Sequence, residues 1–185
     1  MNLLHLLRKS SFLLIRKVSA RRCHSLNSAS DPMSESSRHV FCYGSLRPDD
    51  DSGMPWTKDA VEGMIAQPAV MYSARLYEDK YANLNFCDDP TSKVVGWVLT
   101  CDSETDFEKK LSLFDEIEEY YEDDPESSEY LRAIADACLG DPRMSVGGRS
   151  LGEEGSVVNA YVYHNPNCAK DRPILSGDWL QRSSK

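Results

Sequence analysis

The chain has 185 residues, 41% of them apolar, with 21 basic against 30 acidic side chains and a net charge of −9. That length holds one domain with a tail to spare, and no apolar run reaches the roughly 18–20 residues of a membrane span. The first thirty residues carry six basic side chains and no acid, leaving a body of net −15 whose field repels phosphate backbones and argues against nucleic-acid binding.

Residues 1–17 alternate leucine-rich patches with the basic pairs Arg8-Lys9 and Arg16-Lys17. The segment is acid-free and rich in Ser and Arg, the composition of an organelle transit peptide, and its basic pairs interrupt the apolar stretch that a secretory signal needs. A mitochondrial address is expected, with a plastid address or a cytoplasmic product begun at Met33 as alternatives. A polar, serine-rich linker follows. Residues 1–37 are therefore assigned to transit peptide and linker, and 38–185 to one folded domain.

Val40–Tyr43 reads as a short apolar strand that runs into the turn Tyr43-Gly44-Ser45-Leu46. Such a turn leaves main-chain N–H groups without ladder partners. With the Ser45 hydroxyl it forms a nest able to hold a carboxylate or a developing oxyanion, although ordinary strand-ending turns have the same composition. Arg47–Pro55 is a loop. Its Asp49-Asp50-Asp51-Ser52-Gly53 run superficially resembles a calcium loop, but Gly53, Pro55 and Trp56 fall in the wrong register, so a solvated loop without metal is expected.

Ala60–Met64, Ala69–Leu76, Val94–Thr100 and Ser156–Tyr163 read as further strands. Gly96 permits a close backbone approach, and Val157, Tyr161 and Tyr163 keep period-two register. A helix begins at Asp102 or Ser103, with Glu104 and Asp106 near the positive end of its dipole, and runs to about Tyr121. Phe107, Leu111 and Phe114 fall at i, i+4 and i+7 of its apolar stripe, and the next member is Glu118. A second helix is expected over Ser127–Leu139, followed by a mobile glycine-rich loop at 141–155. The six cysteines are scattered with no C-x-x-C pair, which argues against a zinc site and a disulfide framework; Cys42 reads as a small core residue.

A carboxyl group among apolar neighbours has its charged form disfavoured, so its pKa rises and it can accept and return a proton near neutrality. The other reading pairs Glu118 with Arg132 or a lysine at the edge of the core. The stripe alone leaves both open.

Phe41-Cys42-Tyr43-Gly44-Ser45-Leu46-Arg47 resembles the opening Y-G-[ST]-L signature of the γ-glutamylcyclotransferase-like superfamily, which includes the AIG2-like proteins. Phe114-Asp115-Glu116-Ile117-Glu118 is similar to its L-D-x-[FIV]-E helix motif, and Tyr130-Leu131-Arg132 to the Y-x-R that follows. Ser176-Gly177-Asp178-Trp179 resembles the family's C-terminal S-G-D-W, read as a structural closure. The likeness spans roughly residues 39–180.

This resemblance implies an α+β fold: a small mixed, mainly antiparallel β-barrel with flanking helices and a cavity at one end. It implies a small-molecule γ-glutamyl substrate, either a γ-glutamyl amino acid or a γ-glutamylamine. Intramolecular aminolysis would convert it to 5-oxoproline and a free amine without metal or organic cofactor. Carried over, Glu118 is the general base, and Tyr43, Gly44, Ser45 and Leu46 bind the glutamyl end. Tyr130, Arg132 and Tyr161 are candidates for the pocket wall, each with a packing role as the alternative. The chain departs from the family at Glu119, where glycine is common, at Asp49–Asp51, and in the loop 122–129. Those departures keep open a non-catalytic binding module that retains the barrel. A thiol enzyme built on Cys42 lacks a histidine placed to activate it.

Overall fold

A computed structural model of the protein describes residues 37–182; the transit-peptide and linker assignment, 1–37, lies outside them except for Ser37, and residues 183–185 lie outside them too. In chain order the elements are β1 (Val40–Cys42), α1 (Pro55–Val61), β2 (Ile65–Tyr72), β3 (Ala74–Glu78), β4 (Ala82–Phe86), β5 (Lys93–Thr100), α2 (Glu104–Ile117), β6 (Leu131–Leu139) and β7 (Val157–His164). Five strands close into a barrel in the order β1-β5-β2-β6-β7, and β3 with β4 forms a separate hairpin. An odd number of strands cannot alternate direction all the way round. The necessary parallel seam lies between β1 and β7, where Val40 pairs with Tyr161; the other four pairings are antiparallel. The fold is α+β with a mixed, mainly antiparallel barrel, as expected.

Period-two alternation sorts the strand side chains into two cores. Phe41, Met71, Val98, Leu139 and Val162 fill the barrel and reach the β3–β4 hairpin through Leu76 and Leu84. Val40, Cys42, Trp97 and Leu99 face the other way and pack beneath α2 through Phe107 and Phe114. Gly96 is required inside the barrel, because a Cβ there would lie 2.7 Å from the Phe41 ring. Ser103 caps α2 by accepting from the Asp106 N–H at 3.1 Å.

The C-terminal Ser-Gly-Asp-Trp segment closes the domain. Arg47, only 3% exposed, donates to both Asp49 oxygens at 2.8 and 2.7 Å and to Asp178 at 2.6 Å. Asp178 in turn caps the short 3-10 turn Trp179–Gln181, and the Gly177 carbonyl accepts from Val95 at 2.8 Å.

Several expected elements are corrected. Ala60–Met64 is not a strand: Pro55 starts the helix α1, and Gly63, at φ +76°, turns the chain into β2. Ala69–Leu76 is broken at Ser73, which has φ +56°, so it contributes to two strands rather than one. The helix expected over Ser127–Leu139 is the strand β6, preceded by a 3-10 turn at Pro125–Ser127. Its alanines are strong local helix formers, yet Ala133, Ala135, Ala137 and Leu139 also form a period-two row, and pairing with β2 and β7 selects that pattern. The strand β4 was not anticipated, because Asn83 and Asn85 dilute its β character.

Nor is the 141–155 loop loose. Gln67, fully buried, donates to the carbonyls of Gly140 and Gly152 at 2.7 and 3.1 Å and accepts from Leu151 and Gly152 at 2.7 and 3.2 Å.

Candidate active site

Because β1 and β7 run parallel, both finish at the same end of the barrel, where β6 begins. A cavity of about 570 Å³ lies there, within the roughly 300–1,000 Å³ usual for small-molecule sites. Its walls are the turn after β1, Trp56 of α1, the β3–β4 turn, the end of α2, and residues flanking β6 and β7.

Glu118 is placed by the end of α2. The helix stops at Ile117, the Glu118 N–H still bonds the Phe114 carbonyl at 2.9 Å, and Glu119 then adopts φ +49° to turn the chain away. The residue is half-buried and lines the cavity. Its carboxyl makes no ion pair or hydrogen bond among the described residues, and burial pushes its pKa from 4.5 up to about 7. No cation is ion-paired with it among the described residues, although Lys80 lines the same cavity. Burial raises the pKa of the Cys42 thiol and of the Tyr43 and Tyr130 phenols, and the Glu118 charge raises each further.

Tyr43–Leu46 lines the same cavity. The Arg47 N–H bonds the Gly44 carbonyl at 3.1 Å, closing a β-turn whose central N–H groups, those of Ser45 and Leu46, donate to nothing among the described residues. The turn is anchored to α1, since Thr57 donates its hydroxyl to the Ser45 carbonyl at 2.5 Å. Two main-chain donors, free among the described residues and on a turn that lines the cavity, are what an incoming carboxylate or oxyanion requires.

Tyrosines fix the third wall. Buried Tyr43 donates to the Tyr163 carbonyl at 2.7 Å and accepts from the Leu84 N–H at 3.3 Å, linking β4 to β7. Tyr130 donates to the Ala82 carbonyl at 3.1 Å. Both therefore line the cavity while holding the β3–β4 hairpin across it. Gly44 allows the hairpin its close approach, because a Cβ there would stand 2.9 Å from that of Ala82.

Arg132 and Tyr161 do not line this cavity. Arg132 reaches Asp115 of α2 at 2.5 Å and Glu122 at 3.7 Å, with its guanidinium 4.7 Å from the Tyr120 ring and 5.1 Å from that of Tyr161. The pairing of Glu118 with Arg132 is thus replaced by one with Asp115, which also accepts the Tyr163 hydroxyl at 2.7 Å. Tyr163 lines the cavity where Tyr161 does not, although both lie on one face of β7.

Sequence reasoning missed Trp56, Tyr163, Asn165, the β3–β4 turn Asp79–Tyr81 and the start of β4 at Ala82 and Asn83. A signal for the hairpin existed in Asp79-Lys80-Tyr81, three loop-like residues between two alternating runs. The alternation of Tyr161 and Tyr163 equally marked Tyr163.

Barrel, cavity and inward acid together define a cyclotransferase-like protein. The chain belongs to the γ-glutamyl cyclotransferase, AIG2-like family, whose sequence model matches residues 40–181. No curated protein gives a significant match. Among solved structures, an AIG2-like protein from Mus musculus is 17% identical, with a TM-score of 0.45 over 79% of this chain and 84% of its own. A protein of Arabidopsis thaliana studied in solution is 25% identical, with a TM-score of 0.44 over 83% of this chain and 73% of its own. One from Pyrococcus horikoshii is 14% identical, with a TM-score of 0.46 over 77% of this chain and 90% of its own.

Proposed function

We propose that the protein converts a γ-glutamyl amino acid or γ-glutamylamine into 5-oxoproline and the free amine, with Glu118 as general base. The observation that carries this reading is a carboxyl of pKa about 7, unpaired among the described residues, sharing one cavity with two free main-chain donors.

The reaction needs little more. Glu118 takes a proton from the substrate's α-ammonium group, and the freed amine attacks its own γ-carbonyl carbon. The new C–N bond closes the five-membered ring. The old amide C–N bond then breaks; the departing nitrogen receives the proton held by Glu118 and the second proton that the ring nitrogen sheds, so that a lactam N–H and an ammonium product remain. The Ser45 and Leu46 N–H groups hold the glutamyl end, fixing the folded conformer in which amine and carbonyl meet. Ring closure is already unimolecular, so holding that geometry removes several kcal/mol of barrier. A proton acceptor tuned near neutrality adds about 10²- to 10⁴-fold.

The non-catalytic module would be favoured by a Glu118 locked in a buried ion pair. Arg132, one basic residue named for that role, is engaged by Asp115 instead, and no lysine is ion-paired with Glu118 among the described residues. The deciding experiment assays 5-oxoproline release from panels of γ-glutamyl amino acids and γ-glutamylamines. Glu118→Gln should abolish turnover while the variant still unfolds cooperatively; retained turnover rejects the mechanism.

A further inference from the structure

A second hollow, of about 220 Å³, adjoins the first and shares with it Ser45, the β3–β4 turn Asp79–Tyr81 and Ala82. Glu78, Trp179 and Arg182 are also on its wall. Its charges are unequally matched. Glu78 is paired with Arg172 at 3.0 Å; Asp79, Lys80 and Arg182 are on the same wall and none of them is in an ion pair among the described residues, so two cations stand against one unpaired carboxylate. Lys80 Nζ stands 4.9 Å from the Tyr81 ring. The Arg182 guanidinium lies 4.2 Å over the Trp179 ring and uses one N–H on the Trp179 carbonyl at 2.9 Å. Six of the other described arginines are ion-paired, so in so acidic a domain Arg182 stands out. A guanidinium flattened on an indole, with N–H groups left over and an ammonium on the same wall, is suited to receive a carboxylate.

We propose that this hollow is the subsite for the departing half of the substrate, and that Arg182 and Lys80 select γ-glutamyl compounds whose leaving group bears a carboxylate, namely amino acids or peptides, over those releasing a simple amine. The inference rests on the reaction proposed above. With the glutamyl half between Glu118 and the Tyr43–Leu46 turn, the scissile amide must send its other half past the cavity rim. One edge carries Glu119 and Glu129, which repel an anion; the edge at Ser45 leads to the second hollow, where the charge of Asp79 is outnumbered by those of Lys80 and Arg182. The carboxylate takes no part in the bond changes and serves only for recognition.

The test compares kcat/KM of the full chain for γ-glutamyl-alanine and γ-glutamyl-alaninamide, which share shape and scissile bond and differ in one charge. The native protein should prefer the carboxylate by about tenfold or more, as a charge-assisted hydrogen bond allows. Arg182→Gln and Lys80→Gln should each bring that ratio toward one; should Arg182→Gln fail to fold, Lys80→Gln carries the comparison. Equal use of the two compounds by the native protein overturns the proposal, as does a preference that survives substitution. If neither compound yields 5-oxoproline, the proposed reaction fails on its own account, and calorimetric binding of the same pair decides the subsite. Tighter binding of the carboxylate, weakened by Lys80→Gln, then supports it, and equal or absent binding overturns it.

Discussion

Tyr163 donates its hydroxyl to Asp115 across 2.7 Å, tying the last turn of α2 to β7 three residues before Glu118. Arg132 of β6 holds the other Asp115 oxygen at 2.5 Å, with its own side chain 12% and that of Asp115 24% exposed. Glu118, the proposed base, is therefore positioned by a clamp it does not touch. Arg132→Gln should lower unfolding free energy by about 2 kcal/mol, the usual scale for hydrogen bonds to charged groups, as read from the denaturant midpoint. Because the end of α2 then loosens, kcat should fall several-fold with a smaller change in KM. A variant losing stability with kcat intact would show that the clamp serves folding alone.

Glu118 couples activity and stability to pH in opposite senses. As a base it acts deprotonated, so kcat/KM should rise with pH and reach half its maximum near 7. In the folded state this carboxyl keeps its proton to about pH 7, whereas the unfolded chain releases it near 4.5. The native state thus binds more protons between those values, and stability falls as pH rises through that window, by on the order of 3 kcal/mol. Glu118→Gln abolishes this loss. Urea unfolding at pH 5 and pH 8 should show the variant gaining on the native protein at the higher pH; parallel behaviour would mean that the carboxyl is not desolvated.

Gly44 and Ala82 make a reciprocal pair. Gly44→Ala would place a methyl 2.9 Å from the Ala82 Cβ and push the hairpin off the turn. Overpacking of this kind costs about 1–3 kcal/mol and should raise KM by displacing a cavity wall. Adding Ala82→Gly should recover much of both losses. Failure of the double variant to recover would place the effect in the turn itself.

Glu119 carries backbone strain. It follows the C-cap of α2 at φ +49°, a conformation that costs a side-chain-bearing residue about 1–2 kcal/mol and that glycine enters freely. This accounts for the glycine common at that place in the resemblance noted from sequence. Glu119→Gly should raise the thermal midpoint by a few degrees, corresponding to about 1 kcal/mol. An unchanged or lower midpoint would indicate that the Glu119 side chain contributes more than the strain takes away.

Legibility followed the range of the forces involved. The α2 stripe was readable because helical periodicity is local, and the final misplaced apolar position, Glu118, faces the cavity. Val94–Thr100 and Ser156–Tyr163 were readable to within a residue or so, since β-branched and aromatic alternation marks them directly. The segment 131–139 was misread because its alanines satisfy either period, and only pairing of Ala137 with Val158 and Ala69 with Leu139 resolves the ambiguity. Arg132 and Tyr161 sat in suggestive positions, but the register that sets Arg132 opposite Tyr163 turns the guanidinium toward Asp115.

From the sequence by itself came β1, β5 and β7 of the five barrel strands, the acid at 118 and the Tyr43–Leu46 turn, because each is written in spacings a few residues long. The tertiary structure alone decided that Asp115, and not Glu118, would hold Arg132, and that a hairpin from residues 74–86 would wall the cavity. Those outcomes depend on which groups meet across strand registers and between segments distant in the chain, where competition for one guanidinium is settled by geometry and leaves Glu118 without an ion-pair partner among the described residues.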